Sequence, residues 1–221
     1  MLFSKEKVVY TAREIFIVSI GVLFAFFISN LSKSIGEKKK EKVILQDLLE
    51  DLRYNIDETE WSINYANELL NSCSNTISLL KTNDFNIDSI AYALPALTRE
   101  VATQISSTTY ESIKNVGELN LIRNKKIRRL IVEYYTTSAK NVRRAESSFS
   151  IAAVDARRYI NNNVDVRNIG NHTEEILNSK KFYNIFHSVW NYTSIRQSYY
   201  NEFLERSISL KEEINRYQET L

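Results

Sequence analysis

The chain has 221 residues but only four Gly and one Pro, where about fifteen and eleven are usual at that length. Tight turns rely on those two residues, so turn-rich sandwiches, barrels and doubly wound sheets give way to a few long helices. Lys and Arg (29) balance Asp and Glu (27), against a general nucleic-acid binder, and the single cysteine, Cys73, excludes an intrachain disulfide or a cysteine metal cluster.

Residues 1–14 form an N-terminal tail. Ile15 to Leu31 (IFIVSIGVLFAFFISNL) is a run of seventeen residues without a charge. As a helix it reaches about 25 Å, and with Ser32 and snorkelling Arg13 and Lys33 it completes a hydrocarbon core of about 30 Å. A cleaved signal peptide is the main rival, but Ser29 to Ser32 is a poor cleavage site and the helical pattern continues past it. The expectation is a transmembrane helix over 15–32. Gly21, Ala25 and Ser29 recur every four residues, a face of small side chains that lets two membrane helices approach closely. Lys5, Lys7 and Arg13 on one flank face Lys33, Lys38, Lys39, Lys40 and Lys42 on the other. The lysine excess leans towards a cytoplasmic C-terminal domain, with a periplasmic one as the alternative.

Residues 33–221 are expected to form one helical domain. The first long helix is predicted over about 37–81. Leu45, Leu49, Leu52, Ile56, Thr59, Ile63, Ala66, Leu70, Cys73, Ile77 and Leu80 alternate by four and three, an unbroken heptad seam. Leu48, Trp61 and Leu69 are candidates to widen it, and Cys73 on the seam reads as a packed thiol. Thr82 to Asp88 is a connection. Short helices follow over about 89–116, with Pro95 kinking or starting one of them. A restart at Thr108 is marked by Glu111 at capping-box spacing, and Gly117 suits a left-handed C-terminal cap. The next long helix is predicted over 124–161, with Asn124 as N-cap and a phase shift between Tyr134 and Val142 that resembles a stutter. Asn161 to Asn163 and Gly170 mark a break, and the last helix is predicted over 173–217 with Thr173 as cap. The predicted fold is all-α: a transmembrane helix continuing into a long coiled-coil-like stalk and an elongated antiparallel helical bundle.

Between Asp47 and Glu68 seven acids face one base, Arg53, whereas Arg123 to Arg158 holds ten Lys and Arg against three acids. Arg129, Arg143 and Arg157 recur every fourteen residues on one face of the basic helix. Pairing of that face with Glu58 and its neighbours, within or between chains, would set partner choice more than stability. The alternative is a solvated basic face.

No Gly-rich phosphate loop, HExxH or paired-cysteine motif occurs. His172 and His187 lie fifteen apart, which is no local metal motif, and Asp57, Glu58 and Glu60 read as a solvated face. No catalytic residue, metal or cofactor is expected, and the chain is not expected to be an enzyme. On the last helix Phe186, Trp190, Tyr199 and Tyr200 are candidates for a partner face, against the alternative of a bundle core built from large side chains.

Glu14 to Leu23 (EIFIVSIGVL), followed by Asn30 and a lysine-rich helix start, resembles the opening of a bacterial family of single-pass membrane proteins of unknown function. Thr109 to Ile122 (TYESIKNVGELNLI), with Asn124 and Ile131 to Tyr135 (IVEYY), resembles that family's central segment. The aromatic usual after the anchor is absent here. The resemblance implies a bacterial inner-membrane protein and carries no activity. The functional expectation is an anchored interaction or scaffold protein, in contact with the lipid bilayer, that self-associates through anchor and stalk and meets a protein partner. The alternative is a sensor that binds a ligand within the bundle.

Overall fold

The computed structural model describes residues 5–82, 87–165 and 174–221. The chain is all-α, and no strand occurs among the described residues. Helix α1 (Lys5–Thr82) runs unbroken through the apolar segment and on into the domain. From Phe16 to Ile35 its large apolar side chains are exposed. This stretch is long and apolar enough to cross a membrane. The next helices are α2 (Ile87–Thr98), α3 (Thr108–Asn115), α4 (Lys125–Glu133), α5 (Ala139–Asn163), the four-residue α6 (Glu174–Leu177) and α7 (Lys180–Gln218).

Beyond the apolar stretch the architecture is up-down-up-down. α1 ascends. α2, an irregular stretch over 99–107 and α3 descend beside it, since Thr103 meets Ser62, Ser106 meets Asp51 and Glu118 meets Lys40. α4 and α5 ascend, and α7 descends between α1 and α5: Tyr159 meets Ser179, Tyr200 meets Glu146, Lys126 meets Glu213, and Tyr217 meets Glu41. The part of α1 expected to be a stalk is therefore a member of the bundle, and its seam is filled from within the chain.

The register of that seam differs from the expected one. The buried positions are Glu41, Leu45, Leu48, Leu52, Asn55, Thr59, Ser62, Ala66, Leu69, Cys73, Thr76 and Leu80, again alternating by four and three. Leu45, Leu52, Thr59, Ala66, Cys73 and Leu80 stand where expected. At the intervening positions the seam lies one residue earlier than Leu49, Ile56, Ile63, Leu70 and Ile77. Leu49 and Ile56 are buried beside it, while Ile63, Leu70 and Ile77 are only half-buried. A reading by apolarity picks these neighbours because the true positions include Asn55, Ser62 and Thr76. Leu48 and Leu69 belong to the seam itself, and Trp61 is exposed.

The helix boundaries follow local chemistry. Asn124 caps α4, its side chain accepting from Lys126 N (2.9 Å) and Ile127 N (3.2 Å). Gly117 takes φ 74°, the left-handed conformation that ends a helix without a Cβ penalty. The phase shift between α4 and α5 is a π turn over Tyr134–Ser138, whose extra residue rotates the following seam back onto the core. Pro95 lies in the last turn of α2. Between α2 and α3, residues 99–107 are not helical, and the chain restarts at Thr108. The last helix does not run continuously from Thr173. It breaks after Leu177 and restarts at Lys180, where Ser179 accepts from Phe182 N at 3.1 Å. Thr173, Gly170 and His172 lie outside the described residues, as does most of the 82–88 connection.

Two apolar clusters fill the bundle. The one nearer the apolar segment of α1 joins Leu45, Leu48 and Leu52 to Tyr110, Ile131, Tyr135, Phe203 and Ile214. The distal one joins Leu69, Cys73 and Leu80 to Leu94, Phe149, Phe182 and Phe186. Burying each such side chain contributes about 1.5–3 kcal/mol before chain entropy, enough to fix the register of four strands of chain. Burial pushes the Cys73 thiol up to about 12, so it is a packing group and not a nucleophile.

Candidate functional site

Polar side chains form a layer between the two clusters. Its cause is the irregular stretch over 99–107. Chain packed against a bundle outside a helix needs partners for the N–H and C=O groups it turns inward, and here the helices supply side chains in that role. Asn55, fully buried on α1, accepts from Ser106 N (2.7 Å) and donates to Ser106 O (3.0 Å) and to the Tyr134 hydroxyl (3.2 Å). Asp51 accepts from the Ser106 hydroxyl (2.5 Å) and from Thr109 N (3.0 Å) at the start of α3. Glu146 of α5 accepts from Thr103 N (2.6 Å) and from the Tyr200 hydroxyl (2.9 Å). Thr103 donates to Ser62 (2.7 Å). Arg196 of α7, 1 % exposed, donates to Val101 O (2.9 Å) and stacks 3.7 Å above the Phe149 ring. Arg157 donates to Thr98 O (2.6 Å) and pairs with Glu100 (2.9 Å).

Two groups in this layer have donors left over. Arg196 Nε and one terminal nitrogen, and the Tyr65 hydroxyl, have no hydrogen-bond partner among the described residues. Desolvation lowers the Arg196 pKa, and nearby Tyr200, Glu146 and Tyr65 oppose it. Tyr65 also lines a groove of about 400 Å³ between α1 and α2 with Arg99, Tyr92 and Pro95. The arrangement can hold a small anion or ordered water. Among the described residues no group of His, Cys, Asp and Glu is placed to hold a metal ion.

The layer makes the domain sensitive to alkali. Burial raises the pKa of Tyr134, Tyr135 and Tyr200. Burial, with the hydrogen bond to Glu41, pushes Tyr217 up to about 12. The folded state therefore favours the neutral phenols. Their contribution is complete below the ordinary tyrosine value of 10.0 and is lost as pH rises towards the folded values. Stability, read from unfolding monitored by circular dichroism, is expected to be insensitive to pH near neutrality and to fall steeply above about pH 10. Phenolate absorbance should lag the value for free tyrosine until the fold is lost. A phenolate titration complete near pH 10 in the folded protein would contradict this burial.

The remaining sequence candidates are distributed as follows. Gly21, Ala25 and Ser29 lie on the exposed apolar part of α1, and a Cβ at Gly21 would meet no atom within 4 Å. The basic helix packs on α7 and not on the acidic part of α1. Arg129 and Arg143 are exposed, Glu58 is half-buried, and the ion pair of Arg157 goes to Glu100. Phe186 and Tyr200 point into the core, which leaves Trp190 and Tyr199 half-buried, so the four do not share one surface. His187 is exposed, stacks on Tyr183 and lies tilted against Trp190.

Glu41, Asn55, Glu146 and Arg196 were not singled out by sequence. The signal that finds Glu41, Asn55 and Arg196 is the heptad phase itself, extended through polar residues, whereas Glu146 lies beside the α5 seam, half-buried, and carries no such signal. On α7, Phe182, Phe186, Val189, Thr193, Arg196, Tyr200, Phe203, Ser207, Leu210 and Ile214 keep the alternation without a break, and all are buried. No family model, curated protein or solved structure matches the chain.

Proposed function

We propose that this chain is a single-pass membrane protein whose helical bundle stands directly on the membrane surface as an interaction scaffold. The observation that carries it is the continuity of α1. One helix presents an exposed apolar stretch at one end and the buried seam of a self-contained bundle at the other. The bundle is read as a binding and positioning module and not as an enzyme. The five lysines over 33–42 favour a cytoplasmic bundle on a bacterial inner membrane.

Because the seam beyond residue 41 is filled within the chain, self-association is assigned to the anchor, through Gly21, Ala25 and Ser29. Gly21→Leu is expected to weaken association in lipid by at least about 1 kcal/mol, roughly fivefold in the dimer constant. Energy transfer between labelled copies in vesicles reads this directly. Unchanged transfer would remove the anchor as the contact. A protein partner for the bundle is sought by cross-linking in membranes.

A second reading, a ligand sensor, is favoured by one observation: the spare donors of buried Arg196 and Tyr65 beside the α1–α2 groove. A rise in unfolding temperature with a small carboxylate would support it.

A further inference from the structure

We propose that the groove between α1 at Lys33–Lys40 and the Gly117–Arg123 loop binds the phosphodiester of an anionic phospholipid, an assignment that rests on the membrane-spanning reading of α1. The groove has a volume of about 610 Å³ and is lined by Lys33, Lys40 and Arg123, with Glu37, Glu118 and Leu121. It is open at its two glycines, since a Cβ at Gly36 or Gly117 would meet no atom within 4 Å.

Its depth is set by contacts. Arg123 donates to Ser34 O at 3.2 Å, and its Nε stands 3.5 Å from the buried Glu41 carboxylate, which also accepts from Arg123 N at 2.7 Å. Ser34 lies two residues past the end of the span at Ser32, about 3 Å along a helix axis. The headgroup layer is about 5–7 Å deep on each side of the hydrocarbon. The Arg123 guanidinium is thus held at headgroup level by its own fold. Ile35 and Val116 flank the groove and are each more than half exposed, as suits side chains that meet the acyl boundary and not water.

The charge matches an anion. Residues 33–42 carry five Lys against two Glu, and residues 117–129 carry five Lys or Arg against one Glu. Within the groove Lys40 and Glu118 pair at 3.5 Å, which leaves Lys33 without an acid of its own among the described residues. Glu213, brought to this end by α7, is already taken by Lys126 (2.8 Å) and Arg216 (2.9 Å). A zwitterionic headgroup gains little from such a field, and a net negative one gains about fivefold in affinity per nearby cation.

The test uses the full chain in nanodiscs of equimolar phosphatidylglycerol and phosphatidylcholine, with retained lipids counted by native mass spectrometry. Wild type is expected to retain phosphatidylglycerol over phosphatidylcholine by about fivefold or more. Lys33→Gln with Lys40→Gln, two exposed positions that leave the fold intact by circular dichroism, should bring that ratio close to one. Equal retention by the wild type, or an undiminished preference in the double variant, would overturn the proposal. So would loss of the bound lipid on adding inorganic phosphate, which would mark a site for free anions. Alkaline carbonate extraction of vesicles reads the span separately: release of the protein would sink the membrane reading itself, whatever lipid is retained.

Discussion

Glu146→Ala is expected to destabilise the bundle by about 3–5 kcal/mol, the largest effect of any single substitution in the polar layer. The carboxylate accepts from Thr103 N and the Tyr200 hydroxyl and faces the buried Arg196 guanidinium. Its removal takes the acceptor from a backbone N–H and a phenol and the counter-charge from a guanidinium, on residues that are themselves buried, and each unsatisfied neutral group alone costs about 1–3 kcal/mol. Glu146→Gln keeps an accepting oxygen and loses the charge, so it should recover part of the loss. Glu146→Leu combined with Arg196→Met removes both charges and should be less harmful than the sum of its parts. Urea unfolding of these three variants, with Glu146→Leu and Arg196→Met alone, measures this. A loss below about 1 kcal/mol for Glu146→Ala would show that residues 99–107 are held by other means.

Removing residues 1–32 should have the opposite character: a complete change in partitioning with almost none in stability. No side chain described between Arg13 and Lys33 is buried, and the first core residue is Glu41. The shortened chain is expected to be soluble without detergent. Its unfolding free energy in urea should match that of the full chain to within about 0.5 kcal/mol, the usual spread for changes away from the core. Failure of that fragment to fold would mean that the bundle depends on its membrane contact.

The elements most legible in the sequence were those dictated by local chemistry. The charge-free run of 15–31, the Asn124 cap, the Gly117 turn and the phase slip before Val142 each depend on a few neighbouring residues, and each has its counterpart in the structure. The polar layer was not legible, because its residues make sense only across long separations. Asn55 and Ser106, or Glu146 and Thr103, are dozens of residues apart. Nothing near Asn55 says that an irregular chain will lie against it. The same ambiguity shifted the α1 seam onto Ile63 and Ile77, since an apolar side chain next to Ser62 or Thr76 looks like the better core candidate, and Leu70 follows from the register they set. Ser179 escaped notice for a simpler reason: the run from Ile176 to Phe186 is apolar enough to pass for one helix, and only the serine bonded to Phe182 N breaks it.

The descending course of α7 has a practical consequence for topology mapping. On the membrane-spanning reading of α1, the chain climbs from the bilayer and then comes back to it, since Tyr217 meets Glu41 and Leu221 packs on the cluster nearest the apolar segment. A reporter enzyme fused to Leu221 would be crowded against lipid. The upper ends of α1 and α5, at Thr82 and Asn163, stand about 60 Å farther out, the length of some forty helical residues. Protease sites or labels placed there would sample the compartment itself, and a partner bound there would be reached at arm's length from the membrane.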